Sequence, residues 1–183
     1  MSTLRLSVRA KELLDLHISK ISIINLYLAN AGMKRTELID NEPGVELIVR
    51  GNHQILVETH WDLRAFRAVA RLSVRGDKKT DGGEDQTGFE ISADYRIEYQ
   101  VNDFQGNEED LTTLAMAFST TQSVMHAWPF WREFVLSSTA KLGLNPVYAP
   151  LFVRPAVIAE PDPSEIPTLE RKPRPRPKKL ANR

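Results

Sequence analysis

The four histidines are the first side chains to consider for metal binding or acid–base chemistry. They are His17, His53, His60 and His126, and no two of them are three or four residues apart. The closest pair, His53 and His60, flank a predicted strand and lie seven residues apart, so their side chains point to opposite faces of a sheet. The chain also has no cysteine. This spacing predicts no metal site.

Other polar groups with catalytic potential have simpler structural interpretations. The acidic run Glu108, Glu109 and Asp110 follows Asn107 and is typical of a helix start, where an asparagine cap and negative charge are favourable. Arg132 and Glu133 are consecutive, so a helix would turn them to different faces, and a salt link to a neighbouring loop or subunit is the expected role. No phosphate-binding loop, dinucleotide fingerprint, nucleophile elbow or EF-hand spacing is present. We therefore expect no enzyme activity and no cofactor.

Length and composition predict one domain followed by a tail. Residues 1–154 form the expected domain, and residues 155–183 are rich in proline and charge and are expected to be disordered. The domain has 17 basic and 20 acidic residues and the tail has 7 and 4, which together give the chain's 24 of each. This balance favours no nucleic-acid partner. The apolar runs are too short for membrane insertion and the N-terminus lacks a signal-peptide pattern, so a cytoplasmic location is expected.

Hydrophobic periodicity predicts the strands that could position a binding surface. Residues 18–28 and 45–61 predict strands, the second with a bend or bulge at Gly51 and Asn52. Residues 66–75 and 89–101 alternate, with arginines on the polar face of the first and mainly acids on that of the second. Antiparallel pairing would set the arginines opposite the acids, as in the pairs Arg67 with Glu98, Arg71 with Asp94, and Arg75 with Glu90.

Two helices are expected after these strands, at about 108–120 and over the sequence "FWREFVLSSTAKL", which Gly143 ends. Pro129 either starts the second helix or kinks a longer one. Aromatic residues are so numerous around this region that one thin sheet with two helices should have apolar area left for a subunit or a ligand chain. We expect four side chains to need a partner subunit: Leu111, Leu114, Phe118 and Trp131.

The run Trp128-Pro129-Phe130-Trp131-Arg132-Glu133, followed by an apolar helix, a glycine and the extended segment "NPVYAPLF", is similar to a signature of the SecB-like export chaperones. The order of the elements agrees, and the resemblance covers roughly residues 16 to 153. It implies an α+β fold with a four-stranded antiparallel sheet and two C-terminal helices, assembled as a dimer of dimers.

The resemblance also implies a function and a set of site residues. SecB-like proteins hold unfolded polypeptides in apolar grooves without ATP, so the expected partners are unfolded preproteins or an antitoxin, with SecA as a further partner, and the expected assembly is a homotetramer. Carried onto this chain, the client-binding residues are Phe89, Ile91, Ala93, Tyr95, Leu144, Val147 and Leu151.

Two features separate this chain from typical export chaperones and leave alternatives open. Its domain is only mildly acidic and its tail ends in "KPRPRPKKL", whereas docking to SecA is typical of strongly acidic relatives. SecB-like chaperones of toxin–antitoxin systems diverge in this direction, so export and antitoxin protection both stay open. An oligomeric interaction module without chaperone activity is a second class of function. A small-ligand protein or enzyme that uses the Tyr95 and Tyr99 face is a third.

Overall fold

A computed structural model describes residues 3–42, 44–80, 84–149 and 156–159. Its elements in chain order are β1 Thr3–Leu6, α1 Val8–His17, β2 Ile21–Arg35, α2 Glu37–Asn41, β3 Ile48–His60, β4 Ala65–Lys78, β5 Gln86–Val101, α3 Glu108–Phe118, α4 Val124–Lys141 and β6 Ala156–Ala159. Strands β2 to β5 form one antiparallel sheet in the order β2-β5-β4-β3, and β1 pairs in parallel with β6. The predicted α+β architecture with a four-stranded antiparallel sheet is confirmed.

The pairing of β4 with β5 confirms the register predicted from charge. Cα partners include Arg67 with Glu98, Arg71 with Asp94, and Arg75 with Glu90. Arg71 Nε lies 3.0 Å from Asp94 Oδ1. Arg75 differs, because its guanidinium donates instead to the buried Asp77 carboxylate at 2.9 Å. Strand β3 pairs with β4 without a register shift through Gly51 and Asn52, so the predicted bulge is absent from this pairing.

The two predicted C-terminal helices are joined into one helical rod. A π-helical turn, Ser119–Ser123, connects α3 directly to α4, and Pro129 lies inside α4. The hydroxyl of Thr121 donates to the carbonyls of Ala117 and Phe118, both at 3.0 Å, which gives partners to backbone oxygens beside the π turn. Both predicted helices are therefore present, and the π turn joins them without a break. None of the helices in the described ranges is long and apolar enough to cross a membrane.

The ends of the rod follow the sequence signals. Asn107 caps α3 in a capping box, with its side chain accepting from the Asp110 amide at 2.8 Å while the Asp110 carboxylate accepts from the Asn107 amide. Beyond α4, Gly143 has a φ of +66°, the left-handed conformation that glycine adopts most easily.

The rod places the predicted assembly residues in the core of the protomer. Leu111, Leu114, Phe118 and Trp131 are all buried against the sheet. Phe118 packs edge-on to Phe66 and Tyr99, with ring centroids 5.8 and 5.1 Å apart. The prediction that these four side chains need a partner subunit is wrong, because the apolar stripe of the rod covers the apolar face of its own sheet.

An N-terminal helix, which the sequence analysis did not predict, packs against α3. Ser7 caps α1, and Arg9 Nη2 lies 2.7 Å from Asp110 Oδ1. Leu13, Leu14 and His17 of α1 are buried. The strand that precedes α1 pairs with residues 156–159, which the sequence analysis assigned to the disordered tail. The tail boundary at 155 is corrected to this extent, and Pro155 and residues 160–183 lie outside the described residues.

Candidate functional site

An apolar cleft opens where the crossover from β2 to β3 faces the segment after α4. This first cleft has a volume of about 330 Å³. Its lining residues are Ile39, Gly44, Val45, Leu47, Val49, Phe89, Gly143, Leu144, Asn145 and Val147. Only Asn145 contributes a polar side chain, so the cleft suits an apolar group.

A second cleft continues from the first along β3 and α4. It has a volume of about 350 Å³. Its lining residues are Val49, Gly51, Asn52, His53, Ser73, Val74, Trp128, Trp131, Val135, Val147, Tyr148 and Ala149. Val49 and Val147 line both clefts. The two clefts are therefore neighbours that share two valine side chains.

Glycines in the sheet permit the close packing beneath the first cleft. A Cβ added to Gly76 would lie 2.2 Å from the Phe89 ring, and one added to Gly88 would lie 2.9 Å from Leu47. Phe89 can therefore lie flat against β4, and Leu47 can approach β5, only because both positions lack a side chain.

The extended segment after α4 is held to the helix by a few polar contacts. The Leu144 amide donates to the Thr139 carbonyl at 2.9 Å, and the Val147 amide lies 3.5 Å from Thr139 Oγ1. Arg132 Nε donates to the Ala149 carbonyl at 3.1 Å. Arg132 thus links its helix to a neighbouring loop, as predicted, but through a carbonyl instead of a carboxylate.

The structure brings three of the predicted client-binding residues together. Phe89, Leu144 and Val147 line the first cleft. Leu151 lies outside the described residues. Client contact by any of these side chains stays a prediction.

Two of the predicted client-binding residues, Ile91 and Ala93, line neither cleft and are 0% and 2% exposed. Phe89, at 2%, and Tyr95, at 3%, are equally buried, but each lines a depression. Ile91 and Ala93 belong to β5, which lies between β2 and β4 and is covered by the helical rod. Their predicted place in an open groove is corrected, because a central strand under a helix contributes to the core.

Tyr95, also on β5, lines a different depression at the β2 side of the sheet. Its neighbours there include Leu28, Phe130 and Phe134, and its ring centroid lies 6.5 Å from that of Phe130. Burial, together with the negative charge of Glu133, raises the pKa of the Tyr95 hydroxyl to about 12. This tyrosine does not join Phe89, and the four predicted strand residues do not form one surface.

The cleft residues that sequence reasoning missed come from the crossover and the β3 margin. Ile39, Val45, Leu47 and Val49 supply a wall of the first cleft. A signal was present, because Val45, Leu47 and Val49 alternate with other residues directly after the turn-like "DNEPG". Such alternation identifies a half-buried face without showing what covers it.

The polar groups nearest to a catalytic arrangement lie between β5 and the helical rod, where Tyr99 and Ser123 are fully buried and His126 is partly exposed. Tyr99 Oη lies 3.1 Å from Ser123 Oγ and 2.9 Å from His126 Nδ1. Burial raises the pKa of the Tyr99 hydroxyl and lowers the pKa of His126. Because Tyr99 and Ser123 are fully buried, these contacts join β5 to the helical rod. Among the described residues, no group of three His, Cys, Asp or Glu side chains is arranged to hold a metal ion.

These features define an α+β protein with one helical layer on a four-stranded antiparallel sheet and paired apolar clefts at one margin. No protein-family model and no curated protein matches the chain. Among solved structures, it is similar to a SecB-like chaperone of Mycobacterium tuberculosis in complex with a ChAD peptide from the HigA1 antitoxin. That match has a TM-score of 0.62 and 16% identity, and it covers 80% of this chain and 99% of that chain.

A further similarity, to a protein of unknown function from Streptococcus agalactiae, has a TM-score of 0.31 and 9% identity, and covers 72% of this chain and 97% of that one. The first comparison confirms the predicted resemblance at the level of the fold: the chain has the SecB-like fold.

Proposed function

We propose that this chain is an ATP-independent holdase that binds unfolded polypeptides in the two apolar clefts. The observation that carries the proposal is that the clefts adjoin and share Val49 and Val147. A single-ligand pocket would need convergent polar groups. The first cleft offers one polar side chain, and the second, which also has Asn52, His53 and Ser73, is lined mainly by apolar side chains. Two neighbouring apolar depressions suit a chain with several apolar side chains. The activity needs no catalysis and no cofactor.

An extended client fits this arrangement because its alternate side chains point to the same face. Successive side chains on that face are about 6.7 Å apart, twice the rise per residue of a strand. One side chain can enter the first cleft while a later one reaches the second, near Trp128 and Trp131. Affinity would come from apolar burial at roughly 25 cal/mol per Å², which explains tolerance of different client sequences.

An antitoxin is the client that we favour over an exported preprotein. The structural neighbour with a SecB-like fold was solved with an antitoxin peptide. In addition, acids on the outer face of the sheet are neutralised by arginines, as in the Arg71–Asp94 and Arg67–Glu98 ion pairs. A partner that docks on negative charge, as SecA is expected to do, would find less of it on this face. Either client would be met in the cytoplasm.

We further propose assembly into a homotetramer through the β2 margin. Ile23, Leu28 and Met33 lie on the helix side of β2 and are each nearly half exposed, and Phe130 of α4 is 50% exposed nearby. An exposed apolar row at a sheet edge is suited to a self-complementary contact between two copies. A stable monomer at micromolar concentration by light scattering would contradict this assembly.

The experiment that tests the function is suppression of aggregation of an unrelated unfolded protein, without nucleotide. Light scattering of chemically denatured citrate synthase after dilution would be followed with and without the chain. Suppression at near-stoichiometric ratio supports a holdase. A chain that assembles but leaves aggregation unchanged would favour the interaction module, and binding of an antitoxin peptide alone would restrict the client range to that partner.

A further inference from the structure

Arg35, the last residue of β2, connects the two walls of the first cleft. Its Nε and Nη2 lie 3.0 and 2.6 Å from Asp40 Oδ1 in α2. Its Nη1 donates to the Leu142 carbonyl at 2.7 Å and lies 3.4 Å from the Gly143 carbonyl. One guanidinium thus binds the crossover on one side and the end of the helical rod on the other.

The other polar contacts of the crossover wall tie it to the sheet. Helix α2 is five residues long and has no buried residue. Before it, the Thr36 hydroxyl donates to the Thr87 carbonyl at 2.6 Å and the Thr36 amide donates to the Gly88 carbonyl at 2.9 Å. After it, the Glu42 carboxylate pairs with Lys78 Nζ on β4. Among the described contacts, Asp40 is the one that ties α2 across the cleft to the end of the helical rod.

The opposite wall is shaped to receive the arginine. Gly143 adopts a φ of +66°, and a Cβ on this residue would lie 3.3 Å from Arg35 Nη1. The absence of a side chain therefore allows both the helix-ending turn and the close approach of the guanidinium. Carbonyls at the end of a helix carry partial negative charge, which favours a cation there. A planar fork with several N–H groups can serve a carboxylate and a carbonyl together, whereas a lysine ammonium is a single point charge.

We propose that Arg35 is a positioning residue that fixes the width of the first cleft and thereby sets its affinity for apolar client side chains. This inference rests on the proposed function. Ile39 lies next to Asp40, and Leu144 lies next to Gly143, so the residues that Arg35 joins each adjoin a lining residue. A cleft whose walls are fixed before binding loses less entropy when a side chain enters it.

The test compares the affinities of four variants for reduced and carboxymethylated α-lactalbumin, a permanently unfolded probe. Arg35→Met removes all the contacts and is expected to raise the Kd about tenfold. Asp40→Asn removes the carboxylate alone and is expected to raise the Kd about threefold, with little further effect in the Arg35→Met background, because both changes break the same link. Arg35→Lys should restore part of the affinity. Arg71→Met, which breaks an ion pair on the outer face, is the matched control and should bind like the parent.

A thiol reporter separates cleft geometry from general loss of stability. Because the chain has no cysteine, Ile39→Cys gives a single thiol in the cleft wall, and Val57→Cys gives a reference thiol elsewhere on β3. Adding Arg35→Met is expected to speed alkylation of the cleft-wall thiol severalfold and to leave the alkylation rate of the reference thiol unchanged. Equal acceleration of both thiols would indicate a purely structural role and overturn the proposal.

The outcomes for the function and for the positioning role are distinct. A parent chain that holds the probe while Arg35→Met holds it equally well overturns the positioning role and leaves the holdase intact. A parent chain that does not bind the probe overturns the holdase, and the alkylation rates then decide by themselves whether Arg35 fixes the cleft. A raised Kd together with selective alkylation of the cleft-wall thiol supports both.

Discussion

Val49 offers the sharpest test of the clefts, because it lines both of them and is accessible from solvent. Its side chain is 46% exposed. The preceding residue, Ile48, is also β-branched and is 44% exposed, but its side chain points to the opposite face of β3. Val49→Asp and Ile48→Asp therefore form a matched pair that differs in the face receiving the charge.

The expected loss of affinity follows from two contributions. Full burial of a valine is worth about 1.5 kcal/mol at the lower end of the range, so covering its exposed half contributes about 0.7 kcal/mol. A carboxylate covered by an apolar client side chain without a hydrogen-bond partner adds a desolvation cost of about 1–3 kcal/mol or more. Together these amount to at least about 1.7 kcal/mol, and 1.4 kcal/mol is a tenfold change in Kd. Val49→Asp should therefore weaken client binding at least tenfold.

The assay is fluorescence anisotropy of labelled reduced and carboxymethylated α-lactalbumin, with the oligomeric state of each variant checked by light scattering. Because Val49 and Ile48 are both half exposed, neither change should lower the melting temperature by more than a few degrees. Ile48→Asp should bind like the parent. If folded, assembled Val49→Asp binds with the parent's affinity, the clefts are not the client site. If both variants lose binding equally, the outer face contributes as well.

Three further changes test the fold. Asn107→Ala removes the capping box of α3 and should cost about 1 kcal/mol, which lowers the melting temperature by roughly 2–4 °C in thermal denaturation. Burial lowers the pKa of His17 and His126 below the unfolded value, so the unfolding free energy should fall as the pH drops from about 6.5 through those lowered values. In urea titrations, the unfolding free energy of His17→Phe should depend less steeply on pH than that of the parent. The same pH dependence in His17→Phe and the parent would contradict this. A chain ending at Ala159 should melt like the parent, whereas one ending at Arg154 lacks β6 and should show faster amide exchange in α1.

The sheet was predictable from sequence where its signals are local. Alternation over residues 66–75 and 89–101 identified both strands, and the facing charges identified their register, because a hairpin pairs neighbouring segments. The Asn107 cap and the Gly143 terminator were likewise readable from residue type alone. The joining of the two helices could not be predicted from the sequence, because a π turn over Ser119–Ser123 has no distinctive residue pattern.

The site was less predictable because its location depends on non-local pairing. Strand β5 is the last of the four along the chain, but it pairs with β2 as well as β4. Alternation correctly placed Phe89, Ile91, Ala93 and Tyr95 on one apolar face. It could not show that the stripe carrying Leu111 and Leu114 covers the middle of that face. Because the alternation does not show what packs on an apolar face, the sequence analysis also assigned the stripe with Leu111 and Leu114 to a subunit interface.

The strand order explains where apolar surface stays available. One helical rod is narrower than four strands, so it covers the central pair, β5 and β4, most completely and leaves the margins half covered. On the β3 margin, Val49 remains exposed beside the crossover and the segment after α4, which close around it to make the clefts. On the β2 margin, Leu28 and Met33 remain exposed. Because the two margins differ in this way, the proposed client site and the proposed subunit contact use opposite margins, and the central strand β5 contributes Phe89 to the lining of the first cleft.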